Sequence, residues 1–72
     1  MRIEIEKEDL RLIVSRNPGL TTSQIVRRFW PEYASHSCEM TAARGRTLTL
    51  LKAMESRGEI RSEIVDKEKI WF

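Results

Sequence analysis

Three helix-breaking positions divide this chain of 72 residues into short segments. They are Asn17-Pro18-Gly19, Pro31 and Gly58. A residue that precedes proline is pushed out of the α region, and glycine allows the chain to turn where a helix ends. These breaks predict three helices, of which the first ends near residue 16, the second before Pro31 and the third before Gly58.

The first segment has the pattern of an amphipathic helix. Leu10, Ile13 and Val14 are spaced i, i+3 and i+4, which places them on one face of a helix. Acidic residues lie where its first turn would be and Arg16 lies near its end, and both arrangements are favourable to the helix dipole. We therefore predict helix one over residues 7–16.

The second segment begins with a stronger signal. Thr21 and Gln24 have the spacing of a capping box, in which the hydroxyl reaches forward to a free N–H and the amide reaches back. Proline at position 31 then ends the segment. This pattern predicts helix two over residues 22–29, with Ile25 and Phe29 buried.

The third helix is predicted over residues 41–57, after a connection over residues 31–40. Within the connection, Pro31 to Ala34 has the pattern of one helical turn with proline in its first position. On a helical wheel, one direction of the third helix carries the expected core residues, Ala43, Thr47, Leu50, Leu51 and Met54. The opposite direction carries small and polar residues, Thr41, Ala42, Gly45, Thr49, Lys52 and Ser56.

The hydrophobic period changes from that of a helix to that of a strand after Gly58. Apolar and polar residues alternate over residues 60–65, a charged segment follows at residues 66–68, and apolar residues return at the end of the chain. This pattern is typical of a β-hairpin with a charged tip. Ile3 and Ile5 also alternate, which allows a third, short N-terminal strand.

Positive charge is distributed unevenly along the chain. Thirteen Lys and Arg residues oppose eleven Asp and Glu residues, for a net charge of +2. Residues 10–31 nevertheless hold four bases and no acid, and residues 40–58 hold four bases and one acid. Their combined net charge of +7 favours a polyanionic partner. The alternative is a set of solvated basic faces that bind no partner.

Composition excludes several classes of protein. Cys38 is the only cysteine, so no disulfide forms within the chain, and with the one histidine, His36, it cannot supply the ligands of a structural zinc site. No apolar run is longer than three residues, as in residues 12–14, which is too short for a transmembrane helix, and residues 1–6 lack the apolar stretch of a signal peptide. We expect one soluble, cytoplasmic domain over residues 1–72.

Signs of catalysis are missing from the sequence. It shows no Ser/His/Asp grouping, no paired buried carboxylates and no phosphate-binding glycine loop. We therefore expect no enzymatic activity, no cofactor, no metal and no small-molecule ligand. A metal site that His36 and Cys38 share across a dimer is the alternative.

The order of elements is helix, turn, capped helix, longer helix, glycine and charged hairpin. The segment Asn17-Pro18-Gly19-Leu20-Thr21 is similar to the turn that enters helix two in many repressors. Residues 47–60, with apolar positions 50, 51, 54 and 60, look like a recognition helix that leads into a first wing strand. From about residue 10 to residue 72, the chain resembles a winged helix-turn-helix domain of prokaryotic and viral regulators. The resemblance implies an α+β fold of three helices followed by a two-stranded hairpin, the wing.

This resemblance also implies a function, which is sequence-specific binding of double-stranded DNA by a small transcriptional regulator. The major groove admits one α-helix, so helix 41–57 would read base edges while hairpin 59–72 acts as the wing. Because one monomer has one such helix and a net charge of only +2, we expect a homodimer on a pseudo-palindromic site.

The candidate DNA-binding residues fall into three groups. The recognition helix contributes Thr41, Arg44, Arg46, Thr49 and Lys52. Helix two holds phosphates through its N-terminus and its basic residues, with Thr21, Thr22, Ser23, Arg27 and Arg28 as the candidates. The wing contributes Arg61, Lys67 and Lys69. Among these, Arg46 is expected to pair with guanine and Lys67 to hold a phosphate.

An alternative function stays open at this point. It is a winged-helix protein-interaction module that does not bind DNA, with Trp30 and Tyr33 as its docking residues.

The role of Gly45 also stays open, because a glycine inside a helix costs about 0.8–1.0 kcal/mol relative to alanine. Gly45 either lets DNA approach the helix closely, or it marks a kink or a helix that begins only at Arg46.

Overall fold

The computed structural model describes residues 3–72, which have an α+β architecture. These residues form the helices α1 (Lys7–Arg16), α2 (Thr22–Phe29) and α3 (Ser37–Ser56), with a 3₁₀ helix at Pro31–Ser35. Their three-stranded antiparallel sheet consists of β1 (Leu20–Thr21), β2 (Ser62–Val65) and β3 (Glu68–Trp71). None of the helices in this part of the chain is long and apolar enough to cross a membrane.

Helices α1 and α2 have the predicted bounds. At the end of α1, the backbone N–H and the side-chain amide of Asn17 both donate to the carbonyl of Ile13. At the start of α2 the capping box is complete. The Gln24 N–H donates to Thr21 Oγ1 at 3.1 Å, and the Thr21 N–H donates to Gln24 Oε1 at 2.9 Å. Local side-chain hydrogen bonds therefore determine where α1 ends and where α2 begins.

Helix α3 begins at Ser37, earlier than the predicted start at Thr41. Residues 37–40 contain neither proline nor glycine, so nothing in them stops the helix. Met40 packs against the core, which favours the extra turn. The connection is correspondingly shorter, and the predicted helical turn that begins with Pro31 is confirmed as the 3₁₀ helix. Because α3 is helical from Ser37 through Gly45, the alternative of a helix that begins at Arg46 is excluded.

Gly58 ends α3, as predicted. Its φ of +78° lies in the left-handed region, where glycine is the preferred residue. The Gly58 N–H donates to the carbonyl of Glu55 and the Glu59 N–H donates to the carbonyl of Met54, each at 3.0 Å. These two bonds satisfy carbonyls at the helix end in the Schellman arrangement.

Strand β3 is the centre of the sheet, between β1 and β2. The predicted hairpin is formed by β2 and β3, which pair from Ser62 opposite Trp71 to Val65 opposite Glu68. The turn is narrower than the predicted tip, because Glu68 already belongs to β3. Asp66 and Lys67 form it with φ values of +51° and +66°, as in tight turns that match the strand twist.

The third strand is not the N-terminal one. Ile3 and Ile5 lie outside any strand, and Ile5 is instead buried in the core. The edge of β3 is occupied by β1, with Leu20 opposite Trp71. The Gly19 N–H extends this pairing through a hydrogen bond of 2.7 Å to the carbonyl of Trp71. The third strand of the sheet is thus formed by residues just after α1 and not by Ile3 and Ile5, whose alternation had suggested an N-terminal strand.

The core is formed by side chains from one face of each α-helix, from the N-terminal segment and from the end of β3. Its buried hydrophobic residues are Ile5, Leu10, Val14, Ile25, Val26, Ala43, Leu51, Met54 and Trp71. Thr47 is buried among them as predicted, whereas Leu50 is half-buried at their edge. The predicted burial of Phe29 is wrong, because α2 ends at this residue and Val26 fills the core position. Phe29 is 36 % exposed, and the centroid of its ring lies 5.9 Å from the Arg28 guanidinium.

Candidate nucleic-acid interface

One groove brings together three elements that are distant in sequence. Its sides are one flank of α3, the inner face of the β2–β3 hairpin and the beginning of α2. The α3 flank contributes Arg44, Leu48 and Lys52. The hairpin contributes Ile64 and residues 67–69, and the beginning of α2 contributes residues 21–23. We call this feature the basic groove.

Positive charge dominates the basic groove. Among the described residues that line it, four are bases, namely Arg44, Lys52, Lys67 and Lys69, and one is an acid, Glu68. Bases from α3 and bases from the hairpin thus face one another across the same opening. A concave surface lined by one sign of charge concentrates the electrostatic field and attracts a ligand of the opposite sign.

The beginning of α2 presents its N-terminus to the basic groove, but its hydroxyls already have protein partners. Thr21 Oγ1 caps the helix, and Thr22 Oγ1 accepts a hydrogen bond of 3.0 Å from the indole of Trp71. Ser23 Oγ accepts a hydrogen bond of 3.2 Å from Arg44 Nε. In each of these bonds the hydroxyl oxygen is the acceptor, so its O–H can still donate to an anion, beside the positive end of the helix dipole and the side chain of Arg44.

Arg44 and Arg46 lie on different flanks of α3, because residues two positions apart on a helix do not face the same way. Arg44 reaches α2 and lines the basic groove. Arg46 Nε instead donates to the carbonyl of Ile5 at 3.4 Å, so it faces the N-terminal segment. The structure therefore brings Arg44 into the groove and does not bring Arg46 there.

Thr41 and Thr49, the other two candidates on α3, are exposed but do not line the basic groove. Their hydroxyls donate to carbonyls of the same helix, from Thr41 to Ser37 and from Thr49 to Gly45, each at 2.9 Å. Both residues can still accept a hydrogen bond from a ligand. They belong to the outer face of α3, next to the flank that lines the groove.

Three other candidate bases lie outside the basic groove. Arg27 and Arg28 share a different part of the surface with Leu20 and Gln24. The guanidinium of Arg61 lies over the ring of Phe72, 5.3 Å from its centroid. The structure thus separates these three from Arg44, Lys52 and the hairpin lysines.

The two hairpin lysines differ in their surroundings. Lys67 is exposed in the turn between β2 and β3. Lys69 Nζ lies 3.2 Å from Glu55 Oε1 and 5.0 Å from the centroid of the Trp71 ring. The ammonium of Lys69 is therefore engaged within the protein, whereas that of Lys67 projects at the tip.

Sequence reasoning missed three residues that shape the basic groove. Leu48 and Ile64 are apolar residues of its lining, and Ile64 is 74 % exposed. Glu55 lies behind the lining and contacts Lys69. A signal was available for Ile64, because in a hairpin of this register it lies opposite Lys69 and shares its face of the sheet.

The residues that were predicted to dock a protein partner make contacts within the molecule instead. Trp30 and Tyr33 are partly buried against the core, and the Tyr33 hydroxyl accepts a hydrogen bond of 2.9 Å from the Glu4 N–H. Cys38 is exposed in the first turn of α3. Within residues 3–72, no three His, Cys, Asp or Glu side chains form a group that could hold a metal ion.

Comparisons of the chain with models of protein families, with curated proteins and with solved structures give no match. The geometry of the basic groove and the order of the elements around it are therefore the basis for a function.

Proposed function

We propose that this protein is a winged helix-turn-helix protein that binds double-stranded DNA, with α3 in the major groove and the β2–β3 hairpin as the wing. The observation that carries the proposal is the convergence of Arg44 and Lys52 from α3 and Lys67 from the hairpin turn on the basic groove. A DNA duplex presents phosphates along both edges of its major groove, so a helix that reads bases needs cations beside it.

The order and shape of the elements support this proposal. Three helices precede a hairpin, and α3 is the longest helix, with an outer face of small and polar residues. An α-helix fits the major groove, where such side chains meet base edges. The basic flank of α3 and the hairpin tip would then lie along one phosphate backbone, while the N-terminus of α2 approaches the same strand.

Sequence specificity and a role in transcription belong to the same proposal. Thr41 and Thr49 on the outer face of α3 are the candidates for base contacts, and Arg44, Lys52 and Lys67 are the candidates for phosphate contacts. A homodimer on a pseudo-palindromic site would place two such helices in successive turns of the major groove. The rival function, a protein-interaction module, has weaker support because Trp30 and Tyr33 are partly buried.

A pair of variants on neighbouring residues tests the proposal. Ile64 and Val65 are 74 % and 47 % exposed, but Ile64 lines the basic groove and Val65 lies on the other face of β2. Replacement of either residue by glutamate adds the same charge at an exposed site. We expect Ile64→Glu to weaken duplex binding at least about tenfold more than Val65→Glu does, because a carboxylate in the groove repels phosphates.

The measurement is a fluorescence-anisotropy titration of wild type and both variants with a duplex selected from a random pool, at low salt. Equal binding by the two variants would show that the basic groove is not the interface. A wild-type protein that binds no duplex at low salt would overturn DNA binding and favour the protein-interaction module.

A further inference from the structure

We propose that Glu55 and Lys69 are positioning residues for DNA binding, which hold the hairpin against α3 and so fix the width of the basic groove. The inference rests on the proposed function of the groove. It also gives Lys69 a different role from the direct DNA contact that was expected of it as a residue of the wing.

The geometry around Glu55 carries the inference. Glu55 lies in the last turn of α3, and its two carboxylate oxygens contact different strands. Oε2 accepts a hydrogen bond from the hydroxyl of Ser62 in β2, and Oε1 lies 3.2 Å from Nζ of Lys69 in β3. One carboxylate thus ties both strands of the hairpin to the helix. We call these three residues the clamp.

The clamp spans a part of the fold where the backbone provides little support. Helix α3 and the hairpin make few close backbone contacts, whereas β2 and β3 pair along their whole length. Beyond Ser62, the hairpin projects toward its turn with Ile64 and Lys67 on or near the basic groove. The pairing of β1 with β3 holds the base of the hairpin, whereas the direct connection between the hairpin and α3 is made by side chains, and the clamp supplies the polar part of it.

The charge state of Glu55 and the surroundings of Lys69 agree with this role. The hydrogen bond from Ser62 and the contact with Lys69 lower the pKa of Glu55 from its ordinary value, so the carboxylate is ionised at neutral pH. The ammonium of Lys69 also lies over the ring of the buried Trp71. Lys69 is thus held on two sides by groups of its own protein, whereas Lys67 in the turn has no ion pair within residues 3–72.

The expected effect of the clamp is on binding geometry more than on stability. The side chains of Glu55 and Lys69 are about one-third exposed, at 33 % and 35 %, and ion pairs with such exposure contribute little to folding. Variants of the clamp should therefore fold. A hairpin that is not held in place must be ordered when DNA binds, and this ordering lowers affinity without removing a phosphate contact.

The test compares Lys67→Ala with Lys69→Ala, two lysines that lie close together on one hairpin. Affinity for the selected duplex is measured over a range of salt concentrations, because the salt slope reports the number of phosphate contacts. Lys67→Ala should reduce the slope by about one. Lys69→Ala should lower affinity about five- to tenfold with an unchanged slope, and Lys69→Arg, which keeps a cation for Glu55, should restore affinity.

Glu55→Gln separates positioning from simple electrostatics. Removal of an acid beside a DNA-binding groove should strengthen binding if only charge matters, whereas loss of the clamp should weaken it about five- to tenfold. Tighter binding by Glu55→Gln, or a reduced salt slope for Lys69→Ala, would overturn the inference.

A measurement on the free protein tests the clamp separately from the proposed function. Backbone amide relaxation of residues 62–69 in the free protein should show a more mobile hairpin in Glu55→Gln and Lys69→Ala than in Lys67→Ala. An equally ordered hairpin in all three variants would overturn the clamp while DNA binding stands. A wild-type protein that binds no duplex would overturn the proposed function and, with it, the role of the clamp in DNA binding.

Discussion

The indole N–H of Trp71 donates a hydrogen bond to the hydroxyl of Thr22, with 3.0 Å between Nε1 and Oγ1. Both side chains are buried, and the two residues are 49 positions apart in the chain. The bond therefore joins the last strand to the first residue of α2. It fixes the beginning of α2 beside the sheet, where residues 21–23 line the basic groove.

The first prediction concerns this bond. Thr22→Val keeps the shape of the side chain but removes the acceptor, so the Trp71 N–H stays buried without a partner. We expect the free energy of unfolding to fall by about 1–3 kcal/mol, measured by urea denaturation. Unchanged stability would show that the indole finds another acceptor.

The same substitution at a second threonine should change the free energy of unfolding in the opposite direction. Thr47 Oγ1 is buried in the core and has no hydrogen-bond partner among the described residues. Thr47→Val replaces this hydroxyl by a methyl group of similar size, which removes the cost of an unsatisfied polar atom. We expect the free energy of unfolding to rise by about 1 kcal/mol in the same denaturation experiment. A loss of stability would mean that the hydroxyl is hydrogen-bonded in solution.

The parts of the fold that could be predicted from the sequence have local causes. Asn17 ends α1, the Thr21–Gln24 capping box begins α2 and Gly58 ends α3, and each signal acts on neighbouring residues. Strand β1 could not be predicted, because two residues carry no periodicity and their pairing depends on β3, at the other end of the chain. The start of α3 was placed too late because its first turn lacks both a cap signal and a stop.

The candidate site, too, could be predicted only where its cause is local. The helical wheel correctly gave the outer face of α3, since that face is determined by its apolar positions. It could not tell which flank of α3 faces the hairpin, so it gave Arg44 and Arg46 similar roles. That distinction depends on the packing of α2 against α3 and on the place of the N-terminal segment, both of which are long-range.

The third prediction uses these two arginines as a matched pair. Arg44 lines the basic groove, whereas Arg46 contacts the carbonyl of Ile5 on the other flank. As a phosphate contact, Arg44 should on replacement by alanine weaken binding of all duplexes alike and reduce the salt slope by about one, and Arg46→Ala should leave affinity and slope nearly unchanged. Anisotropy titrations of both variants provide the measurement. A larger loss for Arg46→Ala would place the DNA on the other flank of α3.

The last prediction concerns Gly45, which the fold itself does not require. It lies within α3 on the exposed face, and a Cβ built on it meets no atom within 4 Å. Alanine at this position should therefore raise the free energy of unfolding by about 0.8–1.0 kcal/mol, because it favours the helix. If α3 enters the major groove, the added methyl group holds the helix away from the DNA, and affinity for the selected duplex should fall.

Opposite signs for stability and binding distinguish this effect from damage to the fold. Gly58→Ala is the control, because its φ of +78° makes any side chain unfavourable there and the position lies outside the basic groove. That variant should lose stability and, while folded, keep its affinity for DNA. Denaturation and anisotropy titrations of both variants give the comparison. If Gly45→Ala gains stability and binds the duplex as tightly as the wild type, this turn of α3 does not approach DNA, and the helix must enter the groove by a different face.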